Sequence, residues 1–167
     1  MAKNKNKNQK KKVGPVRINN RRALHDYHIR EKLECGIALA GTEVKAIREG
    51  RVILQDGFAK IEEKTMELWL FNVEIGAYDK AAAAYQHEKR RKRKLLARRR
   101  EIRNIFNKSL VKGTTLIPLA MYFNERGFIK VEIGVAEGKS RFDKRNTLKK
   151  QEANRDMQRA MSRKRIG

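Results

Sequence analysis

A small antiparallel β-barrel decorated by helices is the fold this sequence predicts, and three observations lead there. Residues 23–138 form a nearly neutral, domain-sized body flanked and interrupted by blocks of lysine and arginine. Within it, two pairs of β-forming segments meet across short polar turns. Only one substantial helix and one short helix accompany them, which leaves hairpins as the main connections. An open α+β sheet is the alternative that the same pattern permits. A chain of 167 residues suits one domain with tails.

The elements follow in order. Residues 1–22 carry nine Lys or Arg and no acid, so they cannot fold alone, and residues 1–19 read as a flexible basic arm. From Ala23 to Gly36, His25, Tyr27, Ile29 and Leu33 partly alternate with charges and predict a strand bending near Lys32–Cys35. Residues 41–50 read as a short helix, capped by Thr42 and stopped at Gly50. Phe58–Glu62 and Met66–Ile75 predict a hairpin that holds the only tryptophan, Trp69.

Between the hairpins, Lys92–Leu110 places Leu95, Ile102, Ile105, Phe106 and Leu110 on one arc and predicts an amphipathic helix. Leu96 falls off that arc beside Lys92, Arg93, Arg100 and Arg103, at the edge of the core or on a basic face. Thr115–Phe123 and Phe128–Ala136 form the second hairpin, with Gly127 in the turn and Pro118 at an edge or bulge. Ile129, Val131, Ile133 and Val135 face one way. Residues 139–167 form a basic tail on which Ala153, Met157, Ala160 and Met161 keep helical spacing, expected to be disordered alone and helical when bound.

The charge points to a polyanion. The formal net charge is +23, and residues 1–22, 89–103 and 139–167 contribute +9, +9 and +8 of it. Solubility does not require three such blocks, because self-repulsion destabilises a compact chain, so nucleic acid is the favoured partner. No apolar run approaches a membrane span, and no signal-peptide core follows the basic start, which leads to the expectation of a cytoplasmic protein without a membrane partner. Cys35 is the single cysteine and reads as a small buried apolar side chain.

Catalytic signatures are missing. His25 and His28 point to opposite faces if their segment is a strand, which disfavours zinc. Gly134–Ser140 imitates a phosphate loop with one residue too few between its glycines. The carboxylates of residues 23–88 form no repeated cluster of the kind a two-metal nuclease requires. The expectation is no enzyme, no metal and no cofactor.

Specific strings then carry more than charge does. Asn20-Arg21-Arg22-Ala23-Leu24-His25-Asp26-Tyr27, Gly41-Thr42-Glu43-Val44-Lys45, Arg93-Lys94-Leu95-Leu96, the Lys112–Leu119 stretch and Asp143-Lys144-Arg145 resemble the bacterial small protein B family, the SsrA-binding proteins of trans-translation. The resemblance runs from about residue 14 to 165. It implies an oligonucleotide-binding (OB)-like closed barrel with about three flanking helices. It also implies an adaptor that binds the tRNA-like domain of transfer-messenger RNA and enters stalled ribosomes with elongation factor Tu. The C-terminal tail would probe the empty messenger channel near the small-subunit decoding site.

Residue by residue, the resemblance assigns RNA contacts to Asn20, Glu34 and Leu96, and the basic neighbours Arg21, Lys92, Arg93 and Lys94 join them as candidates. For Asn20 an ordinary turn role fits the sequence equally well. Asp143, Lys144 and Arg145 match the tail motif, and Lys139, Phe142, Lys149 and Lys150 complete the ribosome-binding candidates. Lys89, Arg98, Ala46 and Phe142 depart from residues frequent in the family. Phe142 retains a π face for stacking. A ribosomal protein with basic extensions is the other reading that composition supports.

Overall fold

The computed structural model describes residues 17–140 together with Asp143, Glu152, Arg155, Asp156, Met157 and Met161. The order is β1 (Arg17–Asn19), α1 (Arg21–Asp26), β2 (Tyr27–Ile37), α2 (Gly41–Arg48), β3 (Val52–Ile53), β4 (Phe58–Glu62) and β5 (Glu67–Phe71). It continues through β6 (Glu74–Ile75), a 3-10 turn (Ala83–Tyr85), β7 (Arg93–Leu96), α3 (Arg99–Ser109), β8 (Thr114–Phe123) and β9 (Ile129–Gly138). Seven strands form one antiparallel sheet in the order β1-β8-β4-β5-β7-β2-β9, and β9 also pairs with β8. β3 and β6 make a separate ribbon. The protein is mainly β, with three α-helices within residues 17–140.

The hairpin β8–β9 forms as its alternation predicts. Ile129, Val131, Ile133 and Val135 are all buried, beside Leu68, Leu70, Leu95 and Ile105. Each such side chain removed from water stabilises the fold by about 1.5–3 kcal/mol. Gly127 holds φ +80° in the turn, a conformation that a side chain disfavours. Pro118 sits where the β8–β9 register shifts, at the bulge that a missing N–H tolerates. A second, smaller core of Ala23, Ile117, Leu119 and Ala136 lies beneath α1, on the opposite face of β8 and β9.

Several local expectations are overturned by tertiary partners. The predicted strand begins as helix α1, because the Asn20 side chain accepts the Ala23 N–H at 3.1 Å and caps it. The strand that follows is irregular between Ile29 and Glu31 rather than near Lys32–Cys35. Helix α2 is entered at Ala40, whose N–H donates to Glu43 at 2.7 Å, while the Thr42 hydroxyl meets His87 Nδ1 at 2.9 Å. The first hairpin ends at Phe71; Asn72 turns with φ +54° and sends Glu74–Ile75 to pair with Val52–Ile53. Most consequentially, the predicted helix over 92–110 is divided: Arg93–Leu96 is a strand between β5 and β2, and the helix starts at Arg99. Backbone hydrogen bonds on both sides outweigh the helical periodicity of so short a segment.

Arg17–Asn19, assigned to the basic arm by composition, pair with β8 as β1. The rest of the arm lies outside the described residues. Beyond 140, the described residues Asp143, Glu152, Arg155, Asp156, Met157 and Met161 have helical backbone, and Met157 and Met161 are exposed. Ala153 and Ala160 lie outside the described residues.

Candidate nucleic-acid interface

Strand β7 sorts its side chains by alternation: Arg93 and Leu95 turn inward, Lys94 and Leu96 outward. Gly36 on β2 pairs with Leu96 on one side and Lys130 on the other; Lys130 pairs with Tyr122, and Tyr122 with Arg17. One row therefore crosses five strands. A Cβ on Gly36 would lie 3.3 Å from the Leu96 Cβ, so the bare glycine gives Leu96 room to lie on the sheet. Leu96 is 52% exposed, an unusual place for a leucine with six cations within four residues.

Glu34, two residues before Gly36, accepts the Tyr122 hydroxyl and pairs with Lys130 at 3.3 Å. The Arg17 guanidinium stands 4.6 Å over the Tyr122 ring and reaches Glu132 at 3.0 Å, which Lys32 approaches at 2.9 Å. Glu34, Leu96, Lys130, Lys32 and Arg98 border one open groove. The Tyr122 hydrogen bond, reinforced by Lys130, lowers the Glu34 carboxyl below its ordinary range and keeps it ionised. The same bond raises the Tyr122 phenol. An ionised acceptor, an ammonium and an apolar surface thus stand together, suited to a base edge or ribose, a phosphate and a base face.

Lys92 and Lys94 flank Trp69 rather than a helix: their ammonium groups lie 5.3 and 6.0 Å from its ring centroid. Lys94 is also held by Glu67. Arg21 is exposed on the first turn of α1.

Asn20 and Arg93 are placed differently from the RNA contacts expected of them. Asn20 is 2% exposed, and its amide donates to the carbonyls of Leu54 at 3.1 Å and Pro118 at 2.9 Å. Its side chain caps α1 and binds these two carbonyls, which is neither the RNA contact nor the ordinary turn role that the sequence suggested. Arg93 is fully buried and pairs with Glu43, also fully buried, at 2.8 Å. It also donates to the carbonyls of Val73, Arg91 and Lys89 at 2.7–3.0 Å. Its charge is spent inside the fold.

At the root of the tail, the Lys139 ammonium donates to the Leu24 carbonyl at 2.9 Å, at the end of α1. The Ser140 hydroxyl donates to Asp143 at 2.7 Å and accepts the Asp143 N–H at 3.2 Å, the geometry of a helix N-cap. His28 approaches Asp143 at 3.7 Å. Phe142, Lys144, Arg145, Lys149 and Lys150 lie outside the described residues.

Lys130 and Tyr122 are functional candidates that sequence reasoning missed. The alternation of β9 places Lys130 outward, which was legible; its pairing with Glu34 needs the register of β2 against β9. Among the described residues, no group of three or more His, Cys, Asp and Glu is arranged to hold a metal ion. Nor is any helix among them long and apolar enough to cross a membrane.

Comparison with known proteins supplies the context. The family model described as SmpB protein matches residues 17–163. The SsrA-binding protein of Trichodesmium erythraeum (strain IMS101) is 48% identical over 161 residues, covering 96% of this chain and 98% of the relative. That of Carboxydothermus hydrogenoformans is 50% identical over 142 residues, covering 85% and 93%. A solved chain from a study of tmRNA–SmpB at the centre of the bacterial ribosome is 49% identical, with a TM-score of 0.64, covering 75% of this chain and 85% of that one. A family match that begins at β1 and runs past Asp143, with relatives aligned over nearly their whole length, means that this chain belongs to the SmpB family of SsrA-binding proteins.

Proposed function

We propose that this protein is the RNA-binding adaptor of trans-translation in its cell, binding transfer-messenger RNA and delivering it to stalled ribosomes. It is not an enzyme. Its tRNA-like ligand docks on the outer face of β7, β2 and β9. The observation that carries this assignment is Leu96 laid over Gly36, beside the ion-paired Glu34 and Lys130. Shape selection comes from this face, while the surrounding cations supply the salt-sensitive attraction.

Strand pairings β8–β4, β4–β5, β5–β7, β7–β2, β2–β9 and β9–β8 support reading the sheet as a closed OB-like barrel, with residues 20–138 as its domain. In such folds the outer face of the strands serves oligonucleotides. Residues 139–167 act as the ribosome-directed tail, with Lys139, Phe142, Asp143, Lys144, Arg145, Lys149 and Lys150 toward the small-subunit decoding site and messenger channel. Elongation factor Tu accompanies the complex in the cytoplasm.

The test is binding of the full-length protein to transfer-messenger RNA against excess bulk tRNA and ribosomal RNA fragments at near-physiological salt. Preference for the tRNA-like domain, reduced by Glu34→Ala or Leu96→Ala, is expected. Equal binding to all RNAs would refute the adaptor assignment. Removal of the chain after Ser140 should leave this binding intact while abolishing tagging of stalled chains; parallel loss of both would refute the separate tail.

A further inference from the structure

We propose that the outer face of β4, β5 and β7 around Trp69 is a second RNA contact, taking an unstacked base of a single-stranded segment. Registers Lys60↔Trp69 and Trp69↔Lys94 set the indole between two lysines in one row across three strands. Lys92 approaches the same ring from the start of β7. In the neighbouring row Phe58 and Phe71 stack, with centroids 5.2 Å apart and planes at 12°. Lys60, Trp69, Phe71 and Lys92, with Ile61, Glu62 and Glu63, border an open groove of about 340 Å³.

Aromatic rings between lysines on a sheet face suit single-stranded nucleic acid: every base has a π face to stack, and its flanking phosphates need cations. Of those cations Lys94 is paired with an acid, whereas Lys60 and Lys92 are not paired among the described residues. Glu67 is engaged by Lys94, and Glu62 accepts the Thr65 hydroxyl at 2.9 Å. No carboxylate of the described residues lies within 4.0 Å of the Lys60 or Lys92 ammonium. Glu63 remains at the rim, where it can accept from a base amino group. A net charge of +23 draws polyanions rather than cationic peptides.

The face is continuous with the proposed docking surface. Lys94 and Leu96 alternate to the same side of β7, so the Trp69 row runs into the Leu96–Gly36–Lys130 row. This contact rests on the reading of the chain as RNA-binding and extends it to a single strand leaving the docked RNA.

Trp69 is the only tryptophan, so its emission reports this site alone in the unmodified full-length chain. The probes are short single-stranded oligouridylate and oligoadenylate, titrated at about 0.1 M salt, where exposed charges are partly screened. Saturable change of Trp69 emission is expected. In anisotropy with labelled oligonucleotide, Trp69→Ala should weaken binding by about 5- to 100-fold, and Trp69→Phe by much less. Lys60→Ala combined with Lys92→Ala should reduce the log–log salt slope by about 1.4, or 0.7 for each phosphate contact. Oligonucleotide binding that leaves Trp69 emission unchanged, or a double lysine variant with the parental slope, would overturn the proposal. Binding of the tRNA-like domain is measured in parallel with Glu34→Ala. Loss of that binding while oligonucleotides still perturb Trp69 supports two distinct contacts; loss of both through Glu34 alone overturns this one.

Discussion

The Arg93 guanidinium and the Glu43 carboxylate meet at 2.8 Å with neither side chain exposed to solvent. They tie β7 to α2, and Arg91 joins them from the loop before the strand through two hydrogen bonds to the same carboxylate. Burial is the strongest influence on Glu43 and opposes its ionisation. Hydrogen bonds from Arg91, the Ala40 N–H and Arg93 together outweigh it, so the carboxyl titrates below its ordinary range. Burial also lowers the pKa of Arg93, against the opposing pull of Glu43.

Removing one partner of this pair should be severe. Arg93→Met is expected to cost about 3–5 kcal/mol, because it leaves a buried carboxylate short of a donor. Equilibrium urea unfolding measures it, and a loss below about 1 kcal/mol would contradict the structural role of Arg93. The pH dependence follows from the lowered Glu43 pKa. Its contribution is present above the unfolded carboxylate value of about 4.3 and is lost as pH falls through the lower folded value. Glu43→Gln should therefore shrink the stability difference between about pH 7 and pH 3.

Asn20 gives a contrasting prediction. Asn20→Ala removes a helix cap and takes the amide donor from the Pro118 and Leu54 carbonyls, of which Leu54 keeps the Gly57 N–H at 3.1 Å. The expected cost is about 2–4 kcal/mol. Well below its unfolding temperature, the variant should bind transfer-messenger RNA within about 2-fold of the parent, a difference of only a few tenths of a kcal/mol. A larger affinity loss in a fully folded variant would restore Asn20 as an RNA contact.

Leu96 should behave in the opposite way. About half of its surface is already covered, so RNA can bury the remainder. Leu96→Ala is expected to weaken RNA binding by about 1 kcal/mol, roughly 5-fold, with little change in melting temperature. Calorimetric unfolding together with RNA titration separates the two effects.

Cys35 is fully buried on β2, and desolvation pushes its thiol up to about 12. The folded protein should resist iodoacetamide near pH 8, and denaturant should expose one reactive thiol. Rapid labelling without denaturant would show that β2 opens readily from its neighbours.

The β8–β9 hairpin was legible because alternation, a Gly-containing turn and the Pro118 bulge are all written within 25 residues. The short helix ending before Gly50 was legible for the same local reason, although its cap was not: Thr42 has the right chemistry, yet His87, far along the chain, engages its hydroxyl. Glu34 and Leu96 could be named from motif strings. Their meeting at one groove with Lys130 depends on the registers of three strands.

By itself, then, the sequence determined the mainly β character, the three basic blocks, the second hairpin and the family to which the chain belongs, since these reside in local pattern, composition and ordered motifs. Tertiary structure alone decided that 93–96 is a strand, that Asn20 and Arg93 face inward, and that Trp69 stands among lysines. Arg93 shows why: within its own segment it is one cation among ten in residues 89–103, indistinguishable from its neighbours. Its burial became favourable only when β7, inserted between β5 and β2, set it against Glu43 and three backbone carbonyls from distant or looped segments. The carboxylate that compensates this buried charge lies 50 residues away in the chain, so only the folded arrangement can choose which cation goes inside.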